Sequence, residues 1–63
     1  MHVLHIYEVG DDLWCIGLKN GRWIMPLSKA DAIAKAKLRA KEAEIREIGV
    51  YNEAGELLEV LAV

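Results

Sequence analysis

The side chains of this chain that could do chemistry are few: two histidines, one cysteine and an adjacent pair of aspartates. His2 and His5 belong to the stretch HVLHIYEV, whose β-branched and aromatic residues predict a strand. On a strand, a spacing of three sends the two rings to opposite faces, so they cannot ligate one metal ion. Asp11-Asp12 follows Gly10 and is typical of a turn. We therefore predict no metal and no cofactor.

Cys15 is the one candidate nucleophile, and it would need a histidine close by and an electropositive, partly exposed setting. Lys19 and Arg22 share its predicted sheet face, which supplies the positive charge. A free cysteine more often behaves as a small buried hydrophobe. The chain also has no glycine-rich phosphate loop and no Ser-His-Asp set. We predict that it is not an enzyme.

The size of the chain limits how it can be stabilised. Its 63 residues predict a single domain spanning residues 1–63, and a domain this small buries only about 60% of its unfolded surface. A lone cysteine excludes an internal disulfide, which leaves dense packing or self-association. No apolar run approaches the roughly 18 residues of a membrane span, and the N-terminus lacks a signal-peptide pattern. We expect no membrane association and a cytoplasmic location.

Two further strands are predicted at 13–19 and 22–28, joined through Asn20-Gly21. Asn-Gly between apolar runs favours a type I′ hairpin turn, and Pro26 suggests either an edge position or a strand end. The turn predicts these facing pairs: Leu18 with Trp23, Ile16 with Met25, and Trp14 with Leu27. Both tryptophans then point into the core.

A helix is predicted within residues 28–45. Ser28 is placed to cap its start, with Asp31 three residues later, a variant of the capping box. At about 100° per residue, one stripe of the helix is made mostly of small side chains. These are Ala32, Ile33, Ala36, Ala40 and Ala43. Such a stripe lets the helix sit close against a sheet whose tryptophans supply the bulk.

The last two strands, 45–51 and 56–62, are predicted to form a hairpin with the loop Glu53-Ala54-Gly55. This loop puts Gly55 where a positive φ is needed, and it faces Val50 with Leu58 and Ile48 with Val60. The fold class is then α+β, in the order β-β-β-α-β-β, with a mainly antiparallel sheet and one helix packed on one face.

Several apolar side chains fall outside this predicted core. They are Leu13, Ile24, Leu38, Tyr51, Leu57 and Leu61. Grouped apolar side chains on a surface usually mark an interface. The C-terminal LLEVLAV is apolar on both faces, so it must be covered on both sides or pair with another chain. We predict a small non-catalytic interaction module that forms a homo-oligomer and binds a protein partner.

The alternative is weak nucleic-acid binding by the helix at 29–41. Residues 13–41 hold seven cations against Asp31 alone, while residues 42–63 hold six glutamates against one arginine. The helix cations are Lys35, Lys37, Arg39 and Lys41. They divide onto two flanks with Leu38 between them, whereas a nucleic-acid helix gathers its cations on its outward face.

The layout of Trp14, the Ala32-Ile33-x-x-Ala36 helix and the Gly55 turn resembles a family of small bacterial and phage proteins catalogued as domain of unknown function 2188. The resemblance covers nearly the whole chain and implies a fold but no activity. Leu13 stands where that family often has glycine, and the last hairpin is more acidic and apolar than usual. The β-β-β-α-β order is also similar to that of small antitoxins, whose hallmark Gly-Tyr/Trp and proline-rich strand are missing here.

Overall fold

The computed structural model describes residues 3–18 and 21–63, with residues 21–27 described by their backbone alone. The elements follow the predicted order. They are β1 (Leu4–Gly10), β2 (Leu13–Leu18), β3 (Gly21–Leu27), α1 (Lys29–Glu42), β4 (Glu47–Tyr51) and β5 (Leu57–Ala62). The predicted α+β class, with one helix on one face of a mainly antiparallel sheet, is confirmed.

The strands form one sheet in the order β3-β2-β1-β4-β5. β1 to β3 are an antiparallel meander, and β4 and β5 are an antiparallel hairpin. The two parts join through β1 and β4, which run parallel, with His5 beside Gly49 and Tyr7 beside Tyr51. A parallel neighbour requires a crossover, and α1 supplies it. β3 and β5 are therefore the two edges of the sheet, and the edge position of β3 is one of the two alternatives that Pro26 suggested.

The core lies between α1 and one face of the sheet. Ala32, Ala36 and Ala40 have no exposed surface, so the helix backbone sits close to the strands. The sheet contributes Leu4, Ile6, Trp14, Ile16, Ile48 and Val50. The predicted cap is confirmed, because the Asp31 backbone N–H donates to Ser28 Oγ at 3.2 Å. The Trp23 side chain lies outside the described residues.

The helix ends one residue before the predicted stripe does. Ala43 is the C-cap and is exposed, so its prediction as a core residue was wrong. Glu44 follows with φ of 57°, and the Ile45 N–H donates to the Ala40 carbonyl at 2.8 Å. This is a Schellman closure, with a glutamate at the position where glycine is usual.

The register of β2 with β3 differs from the prediction over most of its length. Trp14 faces Leu27 as predicted, but Ile16 faces Trp23 and Leu18 faces Gly21. Met25 and Pro26 are extra residues at an irregularity beside Trp14 and Cys15. Proline has no N–H to give to the ladder, which is the physical reason for the break. The predicted Asn20-Gly21 turn begins outside the described residues.

The second hairpin has the predicted loop and an unpredicted bulge. The Asn52 N–H donates to the Glu56 carbonyl at 3.0 Å, and Gly55 has φ of 85°, so the loop is confirmed. Beyond Tyr51 and Leu57 the register shifts by one residue. Val50 then faces Glu59 and Ile48 faces Leu61, so the predicted pairs with Leu58 and Val60 were wrong. A one-residue shift exchanges the two faces of a strand.

Candidate functional site

The face of the sheet opposite α1, called here the open face, carries a histidine-tyrosine cluster. His5 lies between Gly17 and Gly49 in the register and is 8% exposed. Its ring centroid is 5.7 Å from that of Tyr7 and 6.0 Å from that of Tyr51. Gly17 leaves the space that the His5 imidazole fills, because a Cβ atom there would collide with that ring.

The open face also carries Cys15, directly opposite Tyr7. The thiol is fully buried, as predicted for a structural cysteine, and His5 is one diagonal step away on the neighbouring strand. Burial denies this thiol the partly exposed setting that a reactive thiolate needs, and the side chains of Lys19 and Arg22 lie outside the described residues. Within residues 3–18 and 21–63, no three histidine, cysteine or acidic side chains converge as a metal site.

Four exposed apolar side chains follow β5, and we call them the β5 edge surface. It comprises Leu57, Leu58, Val60 and Val63, whose exposed fractions lie between 42% and 53%. β5 is an edge strand, and its residues are exposed on both faces except for Leu61. The helix backbone lies over β1 to β4 and not over β5, although the Lys29 side chain reaches Glu59 of that strand.

The structure separates the six side chains that were predicted to form an interface. Leu13 and Leu57 are exposed on the open face, and Tyr51 is buried there at 7%. Leu38 is 63% exposed on the outer side of α1, away from the sheet. Ile24 faces Cys15 in the register, and its side chain lies outside the described residues.

Leu61 was predicted to lie on the exposed interface, and this prediction was wrong. Its side chain packs against the core on the helix side, because the bulge at Leu58 reverses the faces of β5. For the same reason Leu58 and Val60, predicted in the core, are exposed. Sequence reasoning missed these two surface residues, since an apolar run such as LLEVLAV fits either register equally well.

The four helix cations predicted as nucleic-acid contacts are all exposed. Arg39 lies 3.9 Å from Glu42, an ion pair within the helix. The exposed Leu38 stands between the two flanks. A fifth cation, Lys29, turns toward the sheet, where its Nζ is 5.6 Å from the Trp14 ring centroid and 3.7 Å from a Glu59 carboxylate oxygen. The arrangement does not form one basic face.

The chain matches no family model, and no curated protein or solved structure matches it. The resemblance to domain of unknown function 2188 therefore stays a prediction. Among the described residues, no helix has the length and apolar character that crossing a membrane requires.

Proposed function

We propose that this chain is a non-catalytic interaction module that self-associates through the β5 edge surface and binds a protein partner. The observation that carries the proposal is β5 itself, an edge strand with exposed apolar side chains on both faces. Natural edge strands usually carry lysine or proline, or are covered by another element. β5 has one charged residue, Glu59, and extends past the helix that covers its neighbours.

The energetics favour a reversible association. Complete burial of one large aliphatic side chain is worth about 1.5–3 kcal/mol, so each half-exposed member of the surface offers about 1 kcal/mol. Four such side chains on each of two copies offer at most about 8 kcal/mol, within the roughly 4–15 kcal/mol that association costs. Apolar burial by itself is therefore marginal, and backbone hydrogen bonds at the strand edge are needed as well.

Sedimentation velocity over roughly a hundredfold range of protein concentration, centred on the micromolar range, tests the proposal. We expect a shift from monomer to dimer for the parent chain. Val60→Lys should move that shift to at least about tenfold higher concentration, because it places a charge in the part of the β5 edge surface that association would bury. Leu38→Lys is the matched control, since Leu38 is exposed on the outer side of the helix and should leave association unchanged. A strictly monomeric parent at the highest concentration would contradict self-association.

A further inference from the structure

The backbone of β5 presents a defined set of hydrogen-bonding groups at its outer edge. The Val63 N–H donates at 3.0 Å to the carbonyl of Arg46, the residue that directly precedes β4. In an antiparallel pair, residues alternate between those bonded to the neighbour and those directed away from it. Leu61 and Glu59 are therefore bonded toward β4, whereas Val60 and Ala62 direct their N–H and C=O groups outward.

A second copy of β5 is self-complementary to this edge. Antiparallel pairing across a two-fold axis allows several registers, and the outward groups and the glutamates select among them. In one register, Leu61 of the first copy faces Leu61 of the second. Val60 of each copy then faces Ala62 of the other, so all four outward-directed residues form hydrogen bonds. With Glu59 facing its own copy, two like charges meet directly, which is destabilising.

Charge separation supports the same register. When the two Leu61 residues face each other, the two Glu59 residues lie about 14 Å apart, from four residues along the strand and one interstrand spacing. That distance exceeds the roughly 8 Å Debye length at physiological salt. Each Glu59 also has Lys29 at 3.7 Å within its own chain. The register centred on Val60 brings the glutamates to about 8 Å and uses only two outward-directed residues, because the bulge directs Leu58 toward β4.

From this we infer that two copies pair through β5 in antiparallel orientation, with Leu61 on the two-fold axis, and join their sheets into one continuous sheet. The inference rests on the proposed self-association and specifies its geometry. Both helices then lie on the same side of the joined sheet. Leu61 is already partly buried against the core of its own chain. In the dimer the two Leu61 side chains contact each other and so connect the two cores. In this register residues 59–63 of each copy pair over about 17 Å. The contact then buries less area than a standard interface of about 800 Å² per partner, so the dimer should be weak and reversible.

Cysteine cross-linking in a Cys15→Ala background tests the register. The Leu61 Cα atoms would be about 4.5 Å apart, within the range of a disulfide, whereas the Val60 Cα atoms would be about 9 Å apart and outside it. Under mild oxidation we expect Leu61→Cys to form at least about ten times more covalent dimer than Val60→Cys. Preferential cross-linking of Val60→Cys would overturn the inference, because it indicates the register centred on Val60.

Leu61→Cys could destabilise the fold, because Leu61 is partly buried. A second pair of variants therefore tests the inference without changing Leu61. Ala62→Pro removes an outward-directed N–H and leaves the hairpin bonds of Leu61 and Val63 in place. We expect it to weaken dimerisation at least about tenfold, whereas Ala62→Val, which keeps the N–H, should change it less than about threefold. A dimer unaffected by Ala62→Pro and not cross-linked through Leu61→Cys overturns the inference and leaves the proposed function standing. A monomeric parent chain overturns both.

Discussion

At the scale of single residues, the packing of the sheet depends on a glycine, Gly17. A Cβ atom placed on Gly17 would lie 2.5 Å from His5 Nε2, and the His5 ring is held in place between two tyrosines. Gly17 therefore makes room for a buried imidazole. The sequence shows this glycine within an apolar strand, but it does not show which ring occupies the space.

Gly17→Ala should destabilise the chain by about 1–3 kcal/mol, the usual cost of forcing extra volume into a packed site. Urea unfolding followed by tryptophan fluorescence measures the change. Gly10→Ala is the matched control, because a Cβ there would meet Leu13 Cδ1 at 3.4 Å, an ordinary contact. Equal stabilities for the two variants would contradict the packing of His5 over Gly17.

At the scale of elements, the ends of α1 show what a sequence pattern can and cannot reveal. The Ser28 cap was predicted and found, since its chemistry is local. The C-terminal end of the helix could not be predicted in the same way, because glutamate and not glycine occupies the positive-φ position. Glu44 adopts φ of 57°, which costs a residue with a Cβ about 1–2 kcal/mol. Glu44 therefore holds a backbone conformation that glycine would adopt at lower cost.

Glu44→Gly should stabilise the chain by about 1 kcal/mol, because glycine adopts positive φ without steric cost and the side chain is exposed. Thermal and urea unfolding measure the gain. Glu44→Ala removes the same carboxylate and keeps the Cβ, so it should give no comparable gain. If the alanine variant is stabilised as much as the glycine variant, the effect belongs to the charge and the backbone explanation is wrong.

At the scale of the whole molecule, charge is divided between the elements. The helix carries five of the eight lysines and arginines, and residues 42–63 carry six of the ten carboxylates. The acidic hairpin approaches the helix at Glu59 and Lys29. Because the cations occupy two flanks rather than one face, we expect weak nucleic-acid attraction at most.

We expect the parent chain to show no measurable binding to DNA or RNA at about 150 mM salt, since sequence-independent phosphate contacts weaken steeply as salt rises. Fluorescence anisotropy with labelled oligonucleotides is the measurement. Lys35→Glu/Arg39→Glu and Lys37→Glu/Lys41→Glu change the net charge equally on opposite flanks. Tight binding by the parent that only one of these pairs abolishes would establish the nucleic-acid alternative instead.

Local sequence patterns were enough to predict the element order, the helix with its cap and alanine stripe, and the second hairpin loop. These depend on local periodicity and turn chemistry, which neighbouring residues express directly. Tertiary structure decided the pairing of β1 with β4, the irregularity at Pro26 and the bulge at Leu58. It also decided that Leu61 packs inward while Val60 faces solvent. An apolar strand fits either register equally well, and the bulge at Leu58 selects between them.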